Sequence, residues 1–89
     1  MTGEAPGAQV EQAIRCILGV ALGLEPAFID TLPADTEFFG PKLGLTSLGG
    51  VRLLVGVQEE FGVDVADLDL DLASLRSIAT LRDFVVAHL

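Results

Sequence analysis

A proline-free stretch, residues 47–61, places the strongest constraint on the fold of this 89-residue chain. Its apolar side chains recur every three or four residues, which is the spacing of one face of an α-helix. The members of this predicted face are Leu48, Val51, Leu54, Val55, Val57 and Phe61, with Leu53 at its edge. The face is wider than the roughly 100° stripe of an ordinary surface helix, so we predict a central helix that packs on two sides.

Two hydroxyl residues, Thr46 and Ser47, stand where this helix should begin. Either hydroxyl can cap the first turn by accepting a hydrogen bond from an unpaired backbone N–H. A helix N-terminus also favours a phosphate, because it combines free N–H donors with the positive end of the helix dipole. From position alone, two interpretations of Ser47 remain open: a plain helix cap, or an exposed hydroxyl that carries a phosphodiester.

The composition indicates one small, acidic domain. The formal net charge is -8 and the isoelectric point is near 4.2, which argues against binding to nucleic acid or to anionic membranes and favours basic partners. Hydrophobic residues make up 51% of the chain, enough for a small core. The first six residues lack the basic region that a signal peptide would have, and no run of roughly 18 apolar residues would span a membrane. A single cysteine, Cys16, is typical of a reducing compartment, so we expect a cytoplasmic monomer.

Two further helices are predicted from the same three-four periodicity. The first covers residues 8–22 and stops at Gly23, after a disordered tail at residues 1–7; the last covers residues 77–89, with Ser77 as its N-cap. The predicted core consists of Val10, Ile14, Ile17, Val51, Leu54, Phe61, Ile78, Leu81 and Phe84. The resulting fold is an all-α bundle of three main helices and one short helix.

Two segments between these helices are less regular. Residues 24–46 form a long loop that should be pinned by Phe28, Ile29, Leu32, Phe38, Phe39, Leu43 and Leu45. Residues 63–72 alternate between apolar and acidic side chains, as in a β-strand, but aspartate is a poor strand former and no pairing strand is in sight. We therefore expect a short irregular or helical segment there.

Catalytic patterns are missing from the sequence. The one histidine, His88, lies next to the C-terminus. A nucleophile elbow would need glycine where Leu45 stands, and a phosphate-binding P-loop would need a lysine before Thr46. Asp67, Asp69 and Asp71 resemble the start of a calcium loop, but the glycine and the closing glutamate of that loop are absent. We predict a non-enzymatic protein without a metal site.

Several segments together resemble the acyl carrier protein family, whose attachment motif is normally LGxDSL. Residues 43–48 read LGLTSL, and residues 59–62 read EEFG, as at the end of the family's central helix. Residues 22–23 (LG), 35–38 (DTEF) and 77–85 (SIATLRDFV) resemble other family segments. The resemblance covers about 80 residues and identifies residues 8–89 as a four-helix carrier domain with a long loop between its first two helices.

This resemblance implies a function for Ser47. In carrier proteins the motif serine is joined through a phosphodiester to 4′-phosphopantetheine, derived from coenzyme A, whose thiol holds an acyl or aminoacyl group as a thioester. The implied partners are a phosphopantetheinyl transferase and enzymes that load, condense or transfer the acyl group, such as ketosynthases and acyltransferases. No catalytic residue is needed in the carrier itself.

The chain departs from the family pattern around this serine. Thr46 replaces the usual aspartate, and Gly49, Arg52 and Gln58 stand where acidic residues are common. We therefore expect a specialised pathway, such as polyketide or nonribosomal peptide synthesis, rather than ordinary fatty acid synthesis. The predicted partner surface comprises Thr46, Leu48, Gly49, Arg52, Gly56 and Glu59. Two alternatives are a binding or regulatory module that keeps the fold without the arm, and a hydrolase that uses Ser47; the hydrolase fails for want of a base.

Overall fold

The computed structural model describes residues 6–63 and 75–88, and within these ranges the chain folds into four α-helices. They are α1 (Pro6–Leu22), α2 (Pro26–Asp30), α3 (Ser47–Phe61) and α4 (Ile78–Ala87). The first helix packs against each of the other three. The described residues contain no strand, only an isolated antiparallel bridge between Glu37 and Ser77. The predicted all-α bundle of three long helices and a short one is confirmed.

The ends of the helices agree with the sequence signals within two residues. The first helix begins at Pro6 rather than at Ala8, because proline fits the first turn of a helix, where its missing N–H is not needed. Residues 6 and 7 are thus helical, and residues 1–5 of the predicted tail lie outside the described residues. Ser77 caps α4 as predicted, and Leu89 lies outside the described part. The prediction for residues 63–72 also falls outside it, except for Val63, which is buried.

The short helix that the structure describes lies in the long connection between α1 and α3. Pro26 begins this helix, and its Ile29 is buried against the bundle. The connection is pinned further along by the buried side chains of Leu32, Phe38 and Leu45, as predicted. The two other aromatic anchors were predicted wrongly, because Phe28 and Phe39 keep 45% and 53% of their surface exposed.

The predicted core is correct on α1 and α4 and wrong on part of α3. Val10, Ile14, Ile78 and Leu81 are buried, while Ile17, Leu54, Phe61 and Phe84 are partly buried and pack against the same cluster. Val51, however, is 57% exposed. The buried side of α3 carries Gly49, Gly50, Leu53 and Val57 instead.

Glycines explain why α3 is turned away from its predicted orientation. A β-carbon on Gly49 would lie 2.9 Å from Leu45 Cδ1, and one on Gly50 would lie 3.8 Å from the tip of the Phe39 ring. The backbone of α3 therefore approaches the preceding loop closely on the glycine side. A search for hydrophobic periodicity misses a buried helix face that contains glycines, since it gives glycine little weight. It therefore placed Val51 and Val55 on the buried side of α3, where the structure has Gly49 and Gly50.

An ionic cluster centred on Glu11 and Arg15 joins α1 to α2 and to α4. Both Arg15 Nε and Arg15 Nη2 donate to Glu11 Oε2, at 3.1 and 2.9 Å, and Arg82 Nη1 of α4 donates to Glu11 Oε1 at 2.8 Å. The buried Arg15 side chain also donates to the carbonyl oxygen of Ile29 in α2 at 2.7 Å. Partial burial by itself raises the pKa of Glu11, but the hydrogen bonds and charges of the two arginines outweigh it and lower the pKa.

Candidate functional site

Ser47 is the first residue of α3, and its side chain is exposed. The cap of this helix is its neighbour, Thr46, whose backbone is extended and whose Oγ1 accepts a hydrogen bond from the N–H of Gly49 at 3.1 Å. The Ser47 hydroxyl bonds to none of the residues that the structure describes. Position alone left open whether Ser47 is a plain helix cap or an exposed hydroxyl. The structure assigns the cap to Thr46, and the hydroxyl of Ser47 is exposed and free of hydrogen bonds to the described residues.

The loop before Ser47 is held in place by backbone hydrogen bonds. Phe38 donates its N–H to the carbonyl oxygen of Arg76, at 3.0 Å, and its own carbonyl oxygen accepts from the N–H of Leu45 at 2.9 Å. Between these contacts the chain turns through Gly44, whose φ of 56° is a left-handed conformation that favours glycine. The glycine of the LGLTSL segment is therefore needed for the turn that leads into α3.

The start of α3 also offers backbone donors to an anion. The first hydrogen bond of the helix runs from the Gly50 N–H to the Thr46 carbonyl oxygen, at 2.8 Å. The N–H groups of Ser47 and Leu48 precede it and have no acceptor among the described residues. The first turn carries no acidic side chain that would repel a negative charge. A phosphate on Ser47 thus suits the donors and the dipole at this helix end.

The predicted partner surface is only partly exposed. Thr46, Leu48, Arg52 and Glu59 do face solvent. The prediction that Gly49 faces solvent is wrong, since it is buried against Leu45; Gly56 is half-buried against Ile17 of α1.

Apolar side chains of α3 that were predicted to be buried are exposed instead. Val51 and Val55 keep 57% and 49% of their surface exposed, and Leu48 keeps 61%. We call Leu48, Val51, Arg52, Val55 and Glu59 the α3 surface. It is more apolar than the stripe predicted from sequence, because the helix is turned about its axis.

Beside the α3 surface lies an open groove between α1 and α3, with a volume of about 680 Å³. Its apolar lining comes from Cys16, Ile17 and Val20 on α1 and from Val51, Val55 and Gly56 on α3. We call it the α1/α3 groove. Sequence analysis did not detect it, since the contact between Gly56 and Ile17 that forms it joins residues far apart in the chain.

No group for acid–base or metal chemistry is gathered near Ser47 in the described ranges. His88 is exposed at the end of α4, where one ring nitrogen lies 2.8 Å from the Phe84 carbonyl oxygen. In residues 6–63 and 75–88 no three histidine, cysteine or acidic side chains cluster to hold a metal ion. Among the described helices, none is long and apolar enough to cross a membrane.

A small helical bundle with a free serine hydroxyl at a phosphate-favouring helix start fits a carrier-type domain. Comparison with protein families agrees: residues 12–82 match the family described as phosphopantetheine attachment site. The chain belongs to this family of phosphopantetheine-bearing carrier proteins.

Individual relatives are acyl and aminoacyl carrier proteins. The chain is 34% identical to the acyl carrier protein of Phaeodactylum tricornutum over 79% of this chain and 80% of the relative. It is 32% identical to the aminoacyl carrier protein of Agrobacterium fabrum, over 81% and 83% of the two chains. With the mitochondrial acyl carrier protein of Saccharomyces cerevisiae it shares 37% identity over 64% of this chain, but only 43% of that relative is covered.

The family membership settles the class of function. The protein is an acyl or aminoacyl carrier and not an enzyme, and its prosthetic group is covalently bound 4′-phosphopantetheine. That group supplies a thiol which holds the cargo as a thioester. The exposed hydroxyl, the free N–H groups and the absence of acidic side chains in the first turn of α3 fit the phosphate of such a group.

Proposed function

We propose that Ser47 is the residue that bears 4′-phosphopantetheine. The observation that supports this most directly is that the two neighbouring hydroxyl residues at the start of α3 differ in their hydrogen bonds. Thr46 makes the capping hydrogen bond, so the neighbouring Ser47 hydroxyl is exposed and has no partner among the described residues. In the LGLTSL segment Ser47 also stands where the family's motif has its serine.

Attachment requires a nucleophile from this chain and a base from the transferase. The Ser47 oxygen attacks the phosphorus atom next to the pantetheine part of coenzyme A and forms a P–O bond. The bond from that phosphorus to the bridging oxygen of the diphosphate breaks, and adenosine 3′,5′-bisphosphate leaves with that oxygen. The described residues place no base beside Ser47, so the proton of its hydroxyl passes to the phosphopantetheinyl transferase. The N–H groups of Ser47 and Leu48, which have no acceptor among the described residues, would be available to the oxygens of the resulting phosphodiester.

We further propose that the carrier serves a specialised pathway, polyketide or related natural-product synthesis, in the cytoplasm. The support for a specialised pathway is the charge along α3: Arg52 is exposed where ordinary fatty acid carriers are acidic, and the exposed Gln58, outside the α3 surface, is neutral. Ketosynthases, acyltransferases and other acyl-handling enzymes would meet this surface, because Leu48, Val51 and Arg52 lie within about two turns of Ser47. The apolar members supply contact area, and Arg52 supplies charge selectivity.

The alternative of a carrier-like module that never receives the arm rested on Thr46 in place of aspartate. Thr46 makes the same kind of capping bond that an aspartate side chain would make. Threonine in place of aspartate changes the local charge without removing the cap. The substitution therefore gives no structural reason to expect that the protein is not modified.

Intact mass spectrometry after incubation with coenzyme A and a phosphopantetheinyl transferase tests the assignment. The wild-type protein should gain the mass of one phosphopantetheine group, and fragmentation should place it on Ser47. Ser47→Ala should gain nothing while keeping its helical circular dichroism, since Thr46 remains as the cap. Ser77→Ala is a matched control, because it alters the other serine at a helix start and should still be modified. Modification of Ser47→Ala, or of Thr46 in the wild type, would refute the assignment.

A further inference from the structure

The solvent side of α1 is free of charge, although the chain carries a formal net charge of -8. From residue 9 onward the exposed side chains of this helix recur every three or four residues: Gln9, Gln12, Cys16 and Val20. We call these four residues the α1 face. The two charged residues of the helix, Glu11 and Arg15, are turned towards α2 and α4, where both are held by hydrogen bonds.

An uncharged stripe is unexpected on the surface of so acidic a domain. Its most exposed member, Val20, keeps 86% of its surface in solvent and is apolar. Depletion of charged residues at the centre of a patch is the compositional signal that distinguishes protein interfaces from other surface. The α1 face therefore has the composition of the centre of an interface.

The α1 face forms a ridge between two hollows. The α1/α3 groove lies on one side, and a smaller hollow of about 330 Å³ lies between α1 and α2 on the other. Cys16 and Val20 line both hollows, and Leu24, Pro26 and Ile29 add apolar surface to the smaller one. Helices pack by inserting ridges of side chains into grooves, so this shape suits a second helix laid along α1.

Carboxylates border the α1 face on both sides. Glu59 and Glu60 line the α1/α3 groove, and Asp30 lines the hollow beside α2. All three are exposed, and none forms an ion pair within the described part of the chain. The groove also contains Arg52, which lies about two helical turns closer to Ser47 than Glu59 does. The border is therefore mainly acidic, and complementary charge favours a partner with basic flanks.

We propose that the α1 face is a docking site for an amphipathic helix of a partner protein, with an apolar stripe between two flanks of lysine or arginine. The stripe covers Val20 and reaches into the hollows beside it. The basic flanks meet Glu59 and Glu60 on one side and Asp30 on the other. From Gln9 to Val20 the face is about 17 Å long, which matches three turns of helix. A second copy of this chain fits less well, because its carboxylates would face the same carboxylates.

Docking on α1 leaves the start of α3 accessible. Ile17 of α1 contacts α3 at Gly56, which is nine residues, or about 14 Å along the helix axis, from Ser47. A partner held by the α1 face can therefore stay bound while an acyl-handling enzyme works at the Ser47 end. The site itself does not depend on Ser47 being the attachment residue.

A model peptide tests the site on the unmodified chain. A helical peptide of about 14 residues, with leucines every three or four positions and lysines between them, is compared with a scrambled peptide of the same composition. The amphipathic peptide should bind at least about tenfold more tightly, since only its helix gathers the leucines on one face. At roughly ten times its dissociation constant it should also slow the alkylation of Cys16 by iodoacetamide about tenfold.

Two matched variants locate the apolar contact. Val20→Ser should weaken binding of the amphipathic peptide roughly tenfold, because burial of one valine side chain contributes about that factor. Leu48→Ser makes a similar change at an exposed apolar residue of the α3 surface and should leave the affinity unchanged. Equal affinity of wild type and Val20→Ser would overturn the proposal. Loss of binding in Leu48→Ser alone would also overturn it and would place the peptide on the α3 surface.

Two double variants test the acidic border at equal net charge. Asp30→Asn with Glu60→Gln should weaken binding about threefold to tenfold. Asp35→Asn with Asp83→Asn removes two exposed carboxylates elsewhere and should weaken it less. Equal effects of the two double variants, or equal binding of the amphipathic and scrambled peptides, would reduce the interaction to overall charge and refute the site.

Sedimentation of the unmodified chain tests the other occupant. The chain should remain monomeric at concentrations where the peptide binds, and dimerisation that Val20→Ser removes would replace the partner helix by a second copy. None of these measurements uses the prosthetic arm. Failure of the mass test at Ser47 therefore leaves the docking site standing, and failure of peptide binding leaves the assignment of Ser47 standing.

Discussion

The carbonyl oxygen of Phe38 accepts a hydrogen bond from the N–H of Leu45 at 2.9 Å, two residues before Ser47. Phe38 also donates its own N–H to Arg76, at the entrance to α4, and its ring is completely buried. The residue thus joins the core, the last helix and the loop that leads into α3. The place of the Ser47 hydroxyl depends on this aromatic side chain, nine residues earlier in the sequence.

Phe38→Ala should lower the free energy of unfolding by about 3–5 kcal/mol, as truncation of buried phenylalanines does elsewhere. Because small domains have only about 5–15 kcal/mol in total, Phe38→Leu is the more useful variant, since it keeps most of the burial. Phe39→Ala is the matched control: its ring is 53% exposed, so the loss should be much smaller. Urea denaturation measures all three. Equal losses for Phe38→Ala and Phe39→Ala would contradict the contacts described here.

Two glycines of α3 should respond oppositely to the same substitution. Gly56→Ala places a methyl group against Ile17, a stiff β-branched side chain, and overpacking of this kind costs about 1–3 kcal/mol. Gly50→Ala meets atoms only at 3.8 and 3.9 Å, an ordinary contact, and should stabilise by up to about 1 kcal/mol through helix propensity. Thermal unfolding measures both. If Ile17→Ala relieves the cost of Gly56→Ala, the clash is the cause; strictly additive losses would exclude it.

Gly56 also shows what could be predicted from the sequence and what could not. The order and length of the helices follow from the three-four spacing, and the proposed attachment residue, Ser47, was chosen from the LGLTSL segment. The rotation of α3 does not, because Gly49 and Gly56 owe their places to close contacts with Leu45 and Ile17, partners that periodicity cannot reveal. Placing them on a partner surface therefore mistook packing residues for surface residues.

The Glu11 cluster predicts a specific dependence of stability on pH. The two arginines lower the pKa of Glu11 in the folded protein below its ordinary value of 4.5. Its ionised carboxylate therefore stabilises the fold fully above the ordinary pKa, and this contribution is lost as the pH falls through the lowered value. Glu11→Gln should cost about 2 kcal/mol at neutral pH, since hydrogen bonds to charged groups are replaced.

Denaturation at neutral pH and at a series of acid pH values checks this expectation. The gap between wild type and Glu11→Gln should close as the solution becomes acidic. Asp83→Asn is the control, because Asp83 also pairs with Arg82 but its side chain is 69% exposed; exposed pairs contribute about 0–1 kcal/mol. A gap that stays constant with pH would show that the charge of Glu11 is not what stabilises the fold.

The adjacent hydroxyls at the start of α3 should separate stability from modification. Thr46→Ala removes the bond to the Gly49 N–H and should cost about 0.5–2 kcal/mol. Ser47→Ala removes no bond within the described residues and should leave the melting temperature nearly unchanged. Thr46→Asp keeps a cap and should therefore avoid the loss of stability seen in Thr46→Ala. Relative to wild type it should gain about 0.3–1 kcal/mol from a negative charge at the helix N-terminus. Greater destabilisation by Ser47→Ala than by Thr46→Ala would reverse the two roles.

Arg52 should set which enzymes accept the loaded carrier. It is exposed beside Leu48 and Val51, and no residue in the described ranges neutralises it by an ion pair. Basic surfaces on fatty acid synthase enzymes would be repelled by this charge, and like charges in an interface can cost several kcal/mol. Arg52→Glu should therefore raise turnover by a fatty acid ketosynthase and lower turnover by an enzyme of the native pathway.

Lys42→Glu makes the same charge change in the loop before Gly44 and serves as the control. Assays of all three loaded proteins should show the largest difference at low salt, where surface charges are least screened. Equal turnover of wild type and Arg52→Glu at low salt would exclude Arg52 as a determinant, and a change in Lys42→Glu alone would move recognition to the loop.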